Sequence, residues 1–456
     1  MSFNFESGYK GVNAIKDASG SRYTPGIFSD SQYLFINGNI IETANINNMS
    51  LSEYTSGYNA LRVMELSSVF DYKIQGKNNT RIFPNLLSGG ATITVNKNEA
   101  SLDFQAPIGG RIVSQTKKYY EYQSGKLQQY LLTGVLENSG GVSGCITRFG
   151  SFDNNTDKTP ISDEDRGGDG HFFELNGTTL YIVQRKSTDT NPYQSEIKVA
   201  QGSWNGDNLN GTGNSGFTLD VSKANIFIIL RKWLGVGSVS LGVVVNGSII
   251  IAHTFENNNT YGEVYMKRAN LPIRYELDNT SGSATANCKQ ICCSYASIGG
   301  FNPQREIFTL NSGTISQGVS DEHYISIRLK AESNRHVINL KHFSYSAPSL
   351  GTTDSVLIKL YLNPTLNITG SWTSVNSDSV VEALTGTDAT YTSGGTLIYQ
   401  DVITRYKDID LSLLNEKITL GSNIAGTQDI ITIVIDEILG ATVSSAIGIL
   451  TWYENI

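Results

Sequence analysis

Residues 238–255 read Ser238-Val-Ser-Leu-Gly-Val-Val-Val245, Asn246-Gly247, Ser248-Ile-Ile-Ile-Ala-His-Thr-Phe255. Two strand-length runs rich in β-branched residues flank an Asn-Gly pair. Asn and Gly accept positive φ at low cost, so the stretch predicts an antiparallel hairpin closed by a two-residue type I′ turn. The same grammar recurs twice: Gln32 to Ile36 with Asn39 to Thr43, and His171 to Leu175 with Thr178 to Gln184. Further alternating runs lie at Ala91 to Val95, Ser101 to Gln105, Tyr324 to Leu329, Val356 to Leu362, Thr396 to Tyr399 and Ile430 to Ile435. Short strands separated by polar turns at this spacing predict an all-β chain of tandem antiparallel β-sandwich or jelly-roll domains with a mixed N-terminal segment.

Composition points the same way. Charged residues make up only 17% of the 456 residues and Gly numbers 45, so much of the polarity comes from Ser, Thr, Asn and Gly. Ser, Thr and Asn compete with helical hydrogen bonds and Gly loses entropy in a helix, which excludes an all-helical protein. The best helix candidates are Ser50 to Val69, with Ser50 and Glu53 in capping-box spacing, and Asp408 to Asn415. No self-similarity at 20 to 50 residues is visible, which argues against a β-helix, propeller or solenoid.

The net charge of −8 and the absence of a Lys/Arg-rich run give no electrostatic reason to bind nucleic acid or an anionic membrane. No apolar run approaches the ~20 residues of a spanning helix, and the amino terminus carries no secretory pattern. Four cysteines, Cys145, Cys288, Cys292 and Cys293, are too few for a disulfide framework. Cys288, Cys292 and Cys293 lack zinc spacing and fall in a strand-like segment, so they read as small buried hydrophobes. A chain of this length exceeds one core. Gly89-Gly90 and Gly299-Gly300 suggest three parts: a variable N-terminal segment (1–95) suited to attachment, a central sandwich (96–300) and a C-terminal sandwich (301–456).

Few residues carry a chemical signature. His171, His253, His323, His336 and His342 are scattered without a third ligand at metal spacing, and they read as packed or surface histidines. Hydrolase elbows, phosphate loops and zincin motifs are lacking. Asp153, Asn155, Asp157 and Glu164 match positions 1, 3, 5 and 12 of a calcium loop. Lys158 stands where that loop needs Gly, however, and Pro160 follows, so a solvated acidic loop is the favoured reading and no cofactor is expected. Trp204, in the turn-like Gly202-Ser-Trp-Asn-Gly206, is the candidate for stacking on a glycan, whereas Trp233 adjoins a strand and reads as core.

From about residue 105 onward the chain resembles an uncharacterised family of virion structural proteins of tailed bacteriophages and some large DNA viruses. The resemblance is carried by Leu131-Leu-Thr-Gly-Val-Leu136, Arg148-Phe-Gly-Ser-Phe-Asp153, Phe172 to Val183, Val199 to Asp207, Gly213 to Phe255, Asn270 to Glu276, Ile325 to Leu329, Leu362 to Thr365 and Leu420 to Asp429. It implies a non-enzymatic component displayed on a capsid or tail, as decoration, vertex or fibre, made in the host cytoplasm and located in the virion. The expected partners are other capsid or tail proteins and further copies of the chain, a homotrimer first. A host-glycan adhesin or receptor-binding protein is the alternative, and a polysaccharide-degrading tail spike the third reading.

Overall fold

The computed structural model describes residues 66–456 except 155–156, 158–167, 188–194, 303–304, 318–320, 334, 349, 351–354, 417, 439–442 and 456. It also describes four short strands before residue 44. The chain divides into two compact units, residues 1–62 and 63–456. In the first, Ile15–Lys16 pairs with Arg22–Tyr23, and Gln32–Ile36 pairs antiparallel with Asn39–Thr43. The Asn37-Gly38 turn of that hairpin lies outside the described residues.

The second unit is all-β and antiparallel. An eight-stranded sheet runs in the order Ser248–Phe255, Val239–Val245, Asn225–Arg231, Leu127–Val135, Ala286–Ile298, Ser101–Ala106 and Thr92–Asn96, with Leu66–Lys73 also pairing on Ala286–Ile298. Facing it, a seven-stranded sheet runs Ser195–Ala200, Thr179–Lys186, Gly170–Asn176, Ile146–Phe152, Ile273–Asp278, Arg111–Gln115 and Asn85–Ser88. The position expected for a boundary, residue 95, falls inside the strand Thr92–Asn96, which pairs with Ser101–Ala106.

Beyond residue 304 a four-stranded sheet (Arg305–Gln317, Val443–Asn455, Ile338–Ser346, Tyr406–Asp410) packs on a six-stranded one. The latter runs Thr373–Ser374, Val381–Thr385, Glu322–Leu329, Ile431–Ile438, Ser355–Leu362 and Thr396–Ile403. Each pair of sheets encloses its own core. The first is built around Phe149, Phe173, Phe227 and Tyr275, the second around Phe343, Ile358, Ile433 and Trp452. Strand alternation produces these cores, because residues two apart share a face.

The hairpins form as the sequence dictates, with one change. Asn246 (φ 52°) and Gly247 (φ 81°) both take positive φ, as a type I′ turn requires. At the other described hairpin Asn176 pairs with Thr179, so the central residues are Gly177 and Thr178 rather than Asn-Gly. Gly177 alone has positive φ (59°), the type II′ pattern, which a Gly at the first central position permits. The helix expected over Asp408 to Asn415 is instead the end of the strand Tyr406–Asp410 followed by a short 3-10 turn, Ser412–Glu416. Pairing with Ile338–Ser346 overrides the weak local preference. Of the helix expected over Ser50 to Val69, residues 50–65 lie outside the described residues, and Leu66 to Val69 belong to the strand Leu66–Lys73. Among the described residues no helix is long and apolar enough to cross a membrane.

Phe149 sits at the centre of the first core, with its ring 4.8 Å from that of Tyr275 and 6.0 Å from that of Phe227. Phe149→Ala is expected to cost about 3–5 kcal/mol in chemical denaturation. Leu413→Ala, at a side chain 69% exposed, should stay within about 0.5 kcal/mol.

Candidate functional site

Alternation gives the seven-stranded sheet a second face, turned away from the core, and on it the polar and charged side chains fall into rows. Cross-strand pairing aligns Glu276, Arg148, Glu174 and Tyr181 in one row, and Arg274, Gly150, Phe172, Val183 and Lys198 in the next. A third aligns Phe152, Gly170, Arg185 and Glu196. Gly150 is required by close approach, since a Cβ there would stand 2.3 Å from the His171 carbonyl oxygen.

Opposite charges meet along and between these rows. Glu276 accepts from Arg111 and Arg274 at 2.8 and 2.9 Å and from Arg148 at 3.4 Å. Glu174 accepts from Arg148 and Lys198, each at 2.8 Å. Arg185 donates to Glu196 at 2.7 Å and to the Asp153 carbonyl at 2.9 Å, with its guanidinium over the rings of Phe172 and Phe152 at 4.8 and 5.2 Å. Asp157 closes the face from above by bridging Arg111 and Arg274, each at 2.8 Å. Arg274, Glu174, Phe152 and Phe172 are consequently sealed from solvent.

Burial alone would push the Glu276 carboxyl upward, but the guanidinium groups of Arg274, Arg148 and Arg111 outweigh it and hold the group well below the usual carboxylate range. Burial opposes ionisation at Glu196 as well, yet Arg185 and Lys198 bring it down to about 2. Glu276 and Glu196 thus act as electrostatic struts that tie neighbouring arginine and lysine side chains together. Asp169 is the opposite case: burial and the neighbouring Asp153 push it up to about 6.

The second feature is an open cleft of about 550 Å³ where the two sandwiches meet, within the ~300–1,000 Å³ of small-ligand sites. Arg81, Asn363, Thr396, Asn423, Thr427 and Gln428 supply amide, hydroxyl and guanidinium groups, and Pro84, Leu362, Pro364 and Ile430 supply apolar surface. Lys117 and Asp429, 2.7 Å apart, join one sandwich to the other in its wall. Asp429 also accepts from the Asn363 amide at 3.0 Å and from the Gly421 N–H at 3.1 Å, and Arg81 donates across to Thr396 at 3.1 Å. Asn363 itself takes a left-handed conformation (φ 54°), which turns the chain at this rim.

The structure separates the residues singled out by sequence. Trp204 is 5% exposed and belongs to the first core, where its indole N–H donates to the Val199 carbonyl at 2.9 Å. It therefore offers no stacking surface: its turn folds back onto the core instead of projecting. Trp233 packs against the same core and donates to the Met266 carbonyl. Of the four calcium-loop residues, Asp157 pairs with Arg111 and Arg274, and Asp153 pairs with Arg335 at 2.8 Å. Asn155 and Glu164 lie outside the described residues. Both described carboxylates are paired with arginine. His171, His253 and His323 are buried, as are Cys145, Cys288 and Cys293, with Cys292 partly so.

Sequence reasoning missed the arginine rows and the cleft. Charged residues at alternate positions of Ile273 to Asp278 signal a polar second face, but only strand pairing reveals which charges meet. The cleft draws on segments hundreds of residues apart and has no local signal.

Glu276→Gln leaves three guanidinium groups without their shared anion and is expected to cost roughly 3–5 kcal/mol at neutral pH. Because Glu276 and Glu196 are depressed, their stabilisation is fully present above the ordinary carboxylate range of ~4.3 and is lost as pH falls through it toward 2. Asp169 acts with the opposite sign, weakening the fold as pH rises through about 6. Unfolding followed from pH 7 down to acid should therefore show a shallower acid loss in Glu276→Gln than in the parent.

No family model and no curated protein matches the chain. Among solved structures it is similar to an endo-β-1,4-glucuronan lyase of Trichoderma reesei, at 13% identity and a TM-score of 0.35 over 50% of this chain and 95% of that one. A prokaryotic β-1,3-1,4-glucanase from a mouse hindgut metagenome gives 10% identity and a TM-score of 0.30, over 50% and 97%. Arcelin-5, a lectin-like defence protein of Phaseolus vulgaris, gives 8% and 0.29, over 50% and 97%. Overlap this loose transfers neither a residue nor an activity.

Proposed function

We infer that the protein binds carbohydrate without turning it over, and that the cleft between the sandwiches is where it does so. The observation that carries this reading is the lining itself. Sugars present dense hydroxyls that both donate and accept, together with apolar C–H faces. The side chains of Asn423, Thr427 and Gln428 match the first, and Pro84, Pro364 and Ile430 match the second. Glycoside hydrolysis requires two carboxyl groups flanking the bond. Among the described residues lining the cleft Asp429 is the single carboxylate, and it is tied to Lys117. The resemblance to virion proteins supplies the setting of the proposal: display on a capsid or tail, with the glycan belonging to a host surface.

Glycan-array binding by the full chain, followed by titration of the best ligand, tests this. Asn423→Ala and Gln428→Ala should each weaken binding roughly threefold to tenfold, the size of one or two lost hydrogen bonds, and no reducing or unsaturated sugar should appear on prolonged incubation. Product formation would overturn the non-enzymatic reading, and unchanged affinity in both variants would remove the cleft from it.

Self-association belongs to the same proposal. The edge strand Thr396–Ile403 exposes Leu397 and Val402, and edge strands invite pairing unless covered. Light scattering should report a closed trimer near three times 49.7 kDa, and a clean monomer would count against it.

A further inference from the structure

Arg81 lies on a tight turn between the strands Leu66–Lys73 and Asn85–Ser88 of the first sandwich. The Asn79 carbonyl accepts from the N–H groups of Ile82 and Phe83 at 3.1 and 2.9 Å, and the Asn79 side chain accepts from the Arg81 N–H at 3.3 Å. Phe83 is fully buried in the first core, so the turn is pinned while Arg81 stays exposed at the cleft. Of the five N–H groups that a guanidinium offers, one on Nη2 donates to Thr396 Oγ1 of the second sandwich at 3.1 Å. Arg81 makes no ion pair among the described residues.

The other charges at the cleft cancel. Asp429 uses both carboxylate oxygens: Oδ2 accepts from Lys117 Nζ at 2.7 Å and from the Gly421 N–H at 3.1 Å, and Oδ1 accepts from the Asn363 amide at 3.0 Å. The Lys117 and Asp429 side chains are only 8% and 7% exposed, so this pair presents almost nothing to a ligand. What remains open is mostly donor. Asn423 commits its side-chain oxygen to the Thr427 N–H at 2.9 Å, which leaves its amide nitrogen to donate. Thr396 accepts from Arg81 through Oγ1 and keeps its own O–H for a further acceptor. The described lining thus combines a surplus of donors with one uncompensated positive charge.

We propose that the saccharide taken by the cleft is an acidic one, whose carboxylate or sulfate ester sits on the Arg81 guanidinium beside the Thr396 hydroxyl. This rests on the carbohydrate reading above and names the class of glycan. A neutral sugar would cover the guanidinium without matching its charge. An anionic group supplies the opposite charge together with two acceptor oxygens for the planar fork, and such charge-assisted bonds are about twice as strong as neutral ones. The chain as a whole carries −8 and repels anions at long range, so a preference for acidic sugars requires a local cation of this kind.

Matched glycan pairs offered to the full chain test this. Sialyllactose against lactose and trigalacturonate against its methyl ester probe carboxylates, and sulfated against unsulfated N-acetyllactosamine probes sulfate. The acidic member should bind at least about tenfold tighter in one or more pairs, and the pairs that respond tell carboxylate from sulfate. Arg81→Gln should bring the two members within about twofold of each other, Arg81→Lys should keep part of the preference, and Thr396→Val should reduce it less than Arg81→Gln does. Equal binding of both members by the parent, or a preference that survives Arg81→Gln, is incompatible with the proposal. If neutral members bind equally well and lose affinity in Gln428→Ala, the carbohydrate reading stands and this one falls. If no glycan binds, both fall.

Discussion

Glu276 gathers the guanidinium groups of Arg111, Arg148 and Arg274 on a sheet surface that is shut off from water. The seven-stranded sheet therefore has two interior faces. One is an ordinary apolar core. The other is an electrostatic lattice in which each buried charge is tolerable because an opposite one lies across the strand. Removing one member is costly in a way that removing the whole set need not be, so the lattice behaves as a unit. It also closes the broad face that could otherwise receive a ligand.

Closing that face moves the accessible chemistry to the junction of the two sandwiches. Lys117 with Asp429, Arg81 with Thr396, and Asp153 with Arg335 cross this junction. The first two lie at the cleft, so the contacts that hold the sandwiches together also shape its lining. A ligand seated there would touch both sandwiches and favour their present arrangement. Asp153 links the two features, since its carbonyl receives Arg185 of the charged face while its carboxylate receives Arg335. Asp153 and Asp157, which look in sequence like the start of a calcium loop, thus serve as anchors for arginines.

Much of the fold was legible because its signals are local. Alternation marks Ser101–Ala106, Glu322–Leu329 and Ile431–Ile438 as strands, and Asn246-Gly247 specifies its turn through the φ values those residues tolerate. The misread elements fail for equally physical reasons. Asp408 to Asn415 has a weak helical preference that strand pairing outcompetes, and Trp204 sits in a polar turn whose burial depends on Val199 being placed to receive its N–H.

The sequence by itself determined the all-β class, the hairpins and the absence of familiar catalytic motifs, since each follows from the period of side chains along one strand or from the torsional freedom of one turn. Tertiary structure alone decided which charges neutralise one another and that segments near residues 81, 117, 363 and 428 surround one cleft. Those outcomes depend on strand order, register and the meeting of two sandwiches. They are relations between residues far apart in the chain, and no local pattern encodes them.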